Sequence, residues 1–382
     1  MLGPDVGAQH SLSCSVGGVV GDIATVDVQI CVPDLAAGSR RPCDIVCVLD
    51  VSGSMQLPAA IKATNEDIEA AGLDRLDLVK HAVKTVVATL QPQDRLALVT
   101  YSDQAETKMP LTHMDGRGAE FAKEALDKLK PDGATNLWAG LKMGLDISVQ
   151  SQAGRAAASE GERSRHICLL TDGQPNEPPA EGHMAALESY LGLSPRASET
   201  VVSTFGFGYD LDSKLLLEIA KRLGGMYTFI PDSSFVGTAF VNWIGNAMST
   251  MWQLTEFVVE PLGAASVLEF LGSQGQKNPR AAAGGGPPQT MTLGATVFGQ
   301  NRNASVRMQV GASAKTGSAP FARICIKGYP GGGRLPVEMV AEARIGQCGR
   351  TGSVTITLYV CCFDFSPPAC PLSQPALVQA VA

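Results

Sequence analysis

The apolar residues of this chain follow two different rhythms. From residue 43 to about 252, short runs rich in β-branched or aromatic residues alternate with stretches whose apolar positions recur every three or four residues. The runs are CDIVCVLD (43–50), RLALVTYS (95–102), HICLLTD (166–172), TVVSTFGFG (200–208) and MYTFI (226–230). Each reads as a strand. In 76–90, Leu76, Val79, Val83, Val86 and Leu90 share one helical face, and Phe121, Ala125 and Leu129 do so in 119–130. Further helices are expected over 137–149, 182–192, 212–223 and 234–252. Near-continuous apolar strands separated by helices imply a mostly parallel sheet covered on both faces, the doubly wound α/β architecture of Rossmann-like folds.

Outside that region helical periodicity almost disappears. ATVDVQICV (24–32) alternates as a strand should. Residues 255–365 hold the candidates TEFVVEPL, QTMTLGATVFG, ASVRMQVGA, ARICIKGY, VEMVAEARI and SVTITLYVCCF, with Gly and Pro between them. Strands with turn signals at short intervals predict an antiparallel β-sandwich. Because both flanks are β-like, the expected organisation is an α/β domain over 43–252 inserted into one sandwich built from 1–42 with 255–365. AAAGGGPP (281–288) reads as a loop, and 366–382 as an extended tail.

Charge and cysteine content narrow the function classes. A net charge of -7 over 382 residues leaves no basic footprint for nucleic acid. No apolar stretch approaches the roughly 20 residues of a membrane span. The first residues, MLGPDVGAQHSLSCS, have neither the basic start nor the apolar core of a secretory signal. A cytoplasmic setting with reduced thiols is therefore expected for the ten cysteines. Cys43, Cys47 and Cys168 lie in strand-like runs, where a thiol behaves as a small hydrophobe. No Cys-x-x-Cys pair occurs, against a zinc module or a thioredoxin-like site. The five histidines (10, 81, 113, 166, 183) are scattered and are expected to be surface or internally satisfied residues.

Oxygen-bearing side chains gather at the strand ends. The first α/β strand runs into DVSGSM, delivering Asp50, Ser52 and Ser54; the loop PDGATN delivers Thr135; and HICLLTD ends in Asp172, followed by Gly173. Taken alone, DVSGSM is compatible with a turn. In a parallel sheet, however, all three segments reach the same edge, where open α/β sheets place ligands. Two carboxylates and three hydroxyls suit a hard divalent cation, and magnesium especially, since it keeps several waters and needs few protein ligands.

DVSGSM, the ATN of Thr135 and the TDG of Asp172 resemble the metal-ion-dependent adhesion site (MIDAS) of von Willebrand factor type A (VWA) domains. The likeness spans roughly 43–252, through DRLALVTYS, GATNLWAGL, ICLLTDGQPN, STFGFGYDLD and GGMYTFI. It is strongest to the intracellular type A proteins of plants and algae, some of which also carry a RING finger. The resemblance implies Mg2+, with Mn2+ or Ca2+ as substitutes, touched by the hydroxyls of Ser52, Ser54 and Thr135. Asp50 and Asp172 would act directly or through water. The position left open would take an Asp or Glu of a protein partner, coupled to movement of the Thr135 loop and, in relatives, of the last helix.

The implied function is a non-enzymatic, metal-dependent protein-interaction module with a scaffolding or assembly role. An accessory VWA subunit of a ubiquitin-ligase or chelatase/ATPase-type complex is the alternative, and a purely structural assembly subunit the third. Two departures from the family matter. QLPAAIKATNEDIEAAGLD (56–74) is a longer connection than usual, whose Glu66, Asp67 and Glu69 read as solvated decoration or, in the sharper version, as a cap on the ion in cis. No Cys/His series of zinc spacing exists, so RING ligase activity does not carry over. Enzyme motifs are missing too: position 52 is Ser where an Asp-x-Asp phosphotransferase needs an acid, and there is no Gly-x-Ser-x-Gly elbow or P-loop lysine. GFGYD (206–210) reads as a structural turn, and Trp138 and Trp243 as core residues of their helices.

Overall fold

The computed structural model describes residues 11–35, 40–58, 73–153, 163–231, 233–271, 286–311, 319–329, 337–345 and 359–361. β1 (Ser11–Val20) and β2 (Ile23–Cys31) form an antiparallel hairpin. The α/β part follows as β3 (Cys43–Asp50), α1 (Arg75–Thr89), β4 (Arg95–Tyr101), β5 (Ala105–His113), α2 (Gly116–Asp127) and α3 (Leu137–Ala153). It continues through β6 (Ser164–Thr171), α4 (His183–Leu193), β7 (Val201–Phe207), α5 (Ser213–Arg222), β8 (Gly224–Ile230) and α6 (Ser233–Met248). The remaining elements are strands: β9 (Thr250–Pro261), β10 (Ser266–Leu271), β11 (Gln289–Val297), β12 (Arg302–Gln309), β13 (Ala322–Tyr329), β14 (Val337–Ala343) and β15 (Tyr359–Cys361).

The central sheet has the order β5-β4-β3-β6-β7-β8 and is parallel except at the β5 edge. Every residue of β3 and β6 is buried, as expected of strands covered on both faces. Alternation along β3 divides the core. Ile45, Cys47 and Leu49 face α1, α2 and α6, packing with Val79, Val83, Leu126 and Phe240. Val46 and Val48 face the other way, toward Leu141, Leu145, Leu187 and Ile219 of α3, α4 and α5. The helices start where their caps dictate. Asp74 and Asp77 form a reciprocal capping box on α1, and the Asp115 and Asp212 carboxylates cap α2 and α5. The doubly wound, mostly parallel architecture expected from the apolar pattern is the one observed.

The other strands build two antiparallel sheets, β1-β2-β12-β10 and β11-β9-β13-β14-β15. β2 pairs along its length with β12, from Ile30 opposite Arg302 to Ile23 opposite Gln309. Strands from both ends of the chain therefore share one sheet, with the α/β part between them in sequence. Val26, Ile30, Phe257, Val306, Ile324 and Ile326 fill the space between the sheets, and Phe257 meets Phe270 edge to face at 5.6 Å.

Three local features differ from the pattern-based expectation. The last helix does not reach 252: it ends at Met248, and β9 begins at Thr250 because Met251 and Trp252 are buried in the sandwich core rather than on the helix face. AETKMPLTH, which carries charges and a proline, forms the antiparallel edge strand β5, where a missing N–H is tolerated. β1 extends the β content further toward the N-terminus than 24–32. Of the 56–74 insertion only the ends are described; Glu66, Asp67 and Glu69 lie outside the described residues, as do the 366–382 tail, most of SVTITLYVCCF and residues 281–285 of the glycine-rich loop. Cys14, Cys31, Cys43, Cys47, Cys168 and Cys325 are free thiols. No helix among the described residues is long and apolar enough to cross a membrane.

One of the scattered histidines is neither at the surface nor satisfied. His166, on β6 between Ile45 and Val201, is 2% exposed, and its Nε2 has no partner among the described residues. Burial pushes its pKa down to about 4, opposed by a hydrogen bond to the Ala247 backbone and the charge of Asp44, with Arg165 pressing the same way as burial. The unfolded chain takes up this proton near pH 6.5, well before the folded one, so stability present at pH 7 is lost as pH falls toward 4. Between pH 7 and 5 the loss at this site is about 2 kcal/mol. It is read as the difference in urea unfolding between wild type and His166→Gln at the two pH values. A difference independent of pH would show that His166 is charged in the folded state.

Candidate metal centre

Parallel pairing of β3 with β6 sets Leu49 beside Leu170, so the two strands deliver Asp50 and Thr171 side by side at their carboxyl ends. The chain crosses to β4 on one side of β3 and to β6 on the other. That reversal opens the crevice in which doubly wound folds hold ligands. Asp50 and Asp172 are fully buried there, with Ser52 1% and Thr135 4% exposed.

Direct hydrogen bonds join four of the five residues singled out by sequence. The Ser52 amide donates to Asp50 Oδ1 at 2.9 Å. The Ser52 and Ser54 hydroxyls lie 3.1 Å apart, and Ser54 Oγ donates to Asp172 Oδ1 at 2.8 Å. A 3-10 turn over Gly53–Gln56 lets two hydroxyls point to one place, and its Met55 plugs the α1-side core. Thr135 arrives on a separate loop. Gly53 N donates to the Gly133 carbonyl at 3.0 Å, and Asn176 clamps Thr135 from the far side, accepting from its amide at 2.8 Å and donating to its carbonyl at 3.3 Å.

Residues outside the motif complete the surroundings. Thr171 Oγ1 donates to Asp50 Oδ2 at 2.7 Å. Arg75, the first residue of α1, places Nη1 2.8 Å from Asp172 Oδ2, an ion pair 97 residues apart in sequence. Asp103 accepts from the Ala134 amide at 2.7 Å and steadies the Thr135 loop. Arg75 follows directly on the capping-box Asp74, so its position at the foot of α1 was legible; its reach to Asp172 was not. Asn176 lies in the TDGQPN stretch already singled out, yet nothing local marks it as the partner of Thr135.

The electrostatics favour a cation. Burial pushes the Asp50 carboxyl up to about 6, against hydrogen bonds from Ser52 and Thr171 that favour the charged form, and Asp172 adds like-charge repulsion. Among the described residues one guanidinium, that of Arg75, reaches these two buried carboxylates, and it engages Asp172 alone. The donor set consists of oxygens only, and among the described residues no group of three or more His, Cys, Asp or Glu side chains lies close enough to hold an ion without the hydroxyls. Gly173 leaves open space beside Ser54, its missing Cβ falling 3.7 Å from that hydroxyl. The residues present fit a hard divalent cation and offer nothing suited to a soft one.

Comparison with known proteins identifies the family of the α/β part. A family model for the von Willebrand factor type A domain matches residues 44–240. An uncharacterised protein of Synechocystis is 28% identical over 197 residues, covering 51% of this chain and 39% of that protein. A probable E3 ubiquitin-protein ligase of Arabidopsis thaliana, WAVH2, is 30% identical over 142 residues, 36% of this chain and 17% of that protein. The chain thus spans well under half the length of these curated relatives. Among solved structures, a von Willebrand factor type A protein from Catenulispora acidiphila superposes with a TM-score of 0.62 at 18% identity, covering 88% of this chain and 73% of that one. That coverage exceeds the family match, so the shared fold includes sandwich strands.

The Thr135 loop depends on one backbone position. Gly133 has φ +77, and a Cβ there would fall 2.9 Å from a carboxylate oxygen of Asp103. Gly133→Ala should cost about 1–2 kcal/mol from the left-handed backbone alone. Gly245→Ala, on an open face of α6, should instead stabilise by about 0.5–1 kcal/mol. Urea unfolding of both variants checks the contrast; equal effects would remove the constraint on the loop.

Proposed function

Because the chain belongs to the von Willebrand factor type A family, we propose that it is a non-enzymatic interaction module that takes an acidic side chain of a protein partner through a divalent cation, magnesium by preference. One observation carries the reading: Asp50, Ser52, Ser54 and Asp172 are drawn together at the switch point of the sheet, with Thr135 held on the adjoining loop. Domains of this family commonly bind a divalent metal at such a site, and most are interaction modules rather than enzymes.

Ser52, Ser54 and Thr135 would hold the ion through their hydroxyls, with Asp50 and Asp172 in direct or water-mediated support. The cation supplies a site of unneutralised charge that a partner's Asp or Glu carboxylate can join. The chain's own residues set how much charge is left. Thr171 and the Ser52 amide hold Asp50 in one orientation. Arg75 occupies one oxygen of Asp172 and offsets one of the two carboxylates. A scaffolding or assembly role fits a module whose site recognises a partner's carboxylate. Similarity to the Arabidopsis ligase favours one variant of this reading, a VWA subunit lending its domain to a larger complex whose chemistry lies elsewhere.

Mg2+ should raise the thermal midpoint of wild type and leave Asp50→Ala unmoved, since binding to the folded state alone stabilises it, by about 2.7 kcal/mol at a hundredfold excess over Kd. No shift in wild type, or the same shift in the variant, would sink the metal reading. Arg75→Gln should bind Mg2+ at least roughly fivefold more tightly, because a unit charge a few Å from the ion opposes it by about 1 kcal/mol even when water-screened. Calorimetric titration reads this directly. Weaker binding would mean that Arg75 serves only to position Asp172.

A further inference from the structure

The rim of the candidate metal centre has two unlike sides. On the first, the Leu57 amide donates to the Ser54 carbonyl at 2.9 Å and the Leu57 carbonyl accepts from the Arg75 amide at 3.1 Å, so Leu57 joins a motif residue to the foot of α1. Leu73 directly precedes Asp74, which bridges to Pro58. The Arg75 guanidinium, bonded to Asp172, lies across Gly208, where a Cβ would fall 3.4 Å from Nη2. Gly208 leads into Tyr209, whose ring meets Phe229 edge to face at 5.4 Å. Leu57, Leu73, Tyr209 and Phe229 are all exposed, Tyr209 by 65%. Four large apolar side chains grouped about one arginine exceed the single hydrophobics scattered over an ordinary surface.

The other side is anionic. Asp103 and Glu177 steady the Thr135 loop, the first accepting from the Ala134 amide at 2.7 Å and the second from Asn136 Nδ2 at 3.3 Å. Asp132 on the same loop gives its amide to the Val51 carbonyl at 2.7 Å. All three side chains are exposed, and none makes an ion pair among the described residues. The backbone of the loop uses the Asp103 carboxylate, but nothing in its hydrogen bonding needs the charge of Asp132 or Glu177.

We infer that the partner segment recognised at this rim is an extended chain with three features in a row: the Asp or Glu taken by the cation, a Lys or Arg over Asp132 and Glu177, and a large aliphatic or aromatic residue over Leu57 and Tyr209. Such a motif rests on the proposed function above, because only a carboxylate on the ion brings its neighbours over both sides. Charge selects the basic arm. A segment rich in acid would satisfy the ion and be repelled by the three carboxylates beside it, whereas a cation next to the bound acid is matched. Continuity selects the apolar arm, since the patch begins three residues after Ser54 and adjoins the arginine that bonds Asp172. Alternate residues of an extended chain stand about 7 Å apart on one side of it, so the two arms fall two positions before and two after the carboxylate.

Calorimetry on the full chain in Mg2+ tests the motif with blocked peptides: Lys-Gly-Glu-Gly-Leu, its reverse Leu-Gly-Glu-Gly-Lys, and versions of each with glycine in place of the leucine or of the lysine. One of the two orders should bind roughly fivefold or more tightly than its version without leucine, and about threefold more tightly than its version without lysine. Salt at about 0.5 M should remove the lysine gain and spare the leucine gain. Tyr209→Ser should erase the leucine gain and keep the lysine gain; the double variant Asp132→Asn with Glu177→Gln should do the reverse. Peptides that bind as well in chelator as in Mg2+ would sink the metal reading and the motif together. Mg2+-dependent binding in which leucine and lysine add nothing, or in which the variants do not separate the two gains, would overturn the motif alone. So would a lack of peptide binding in a chain that Mg2+ stabilises. A Mg2+-dependent dimer that no peptide disperses would assign the rim to a second copy of the chain instead.

Discussion

The ladder between β3 and β6 is the interaction on which the rest depends. It joins two strands buried along their whole length, one on each side of the point where the sheet changes direction. Its register sets Leu49 opposite Leu170, and so sets Asp50 beside Thr171 and next to Asp172. A slip by one residue would turn the faces inside out, placing Val46 and Val48 where Ile45 and Cys47 now meet α1 and α6. The apolar packing of both faces thus holds the carboxylates together more firmly than their own hydrogen bonds could.

That arrangement is unfavourable for an isolated fold. Two carboxylates lose their hydration at a strand end, and the Asp50 carboxyl shifts upward in response. The chain offsets part of the cost with local donors, the Ser52 amide, Thr171 and Ser54, and part with Arg75 from across the crevice. What is left is residual negative charge among hydroxyls at the sheet edge. Arg75 has two opposed effects: it stabilises the fold around Asp172 and weakens the attraction of the site for any other cation.

The sandwich makes the molecule two-ended. Its sheets bury their own core, and β9 leaves α6 directly at Thr250, so the sandwich abuts the amino-terminal edge of the central sheet. The carboxyl-terminal edge, with Asp50 and Asp172, lies at the far end of the same strands. His166 and Thr171 are five residues apart on one strand, yet one lies by the sandwich and the other by the candidate metal centre.

Local pattern determined a great deal of this protein. Unbroken apolar runs named the five parallel strands, helical spacing named their covering helices, and Asp50, Ser52, Ser54 and Asp172 stood out because each closes or follows an apolar run, with Thr135 in the PDGATN loop ahead of a helix. Those properties are written into neighbouring residues, where rise, period and turn chemistry act. Strand β5 was hidden by its charges and proline, since an edge strand needs no apolar continuity. The end of α6 was hidden by Trp252, whose burial in a second core looks in sequence like one more helical position. Only tertiary structure could pair Arg75 with Asp172 or Asn176 with Thr135, because such meetings are set by strand order and loop packing. Sequence spelled out the oxygens at the sheet edge by local chemistry; the partners that tune them were decided by long-range packing.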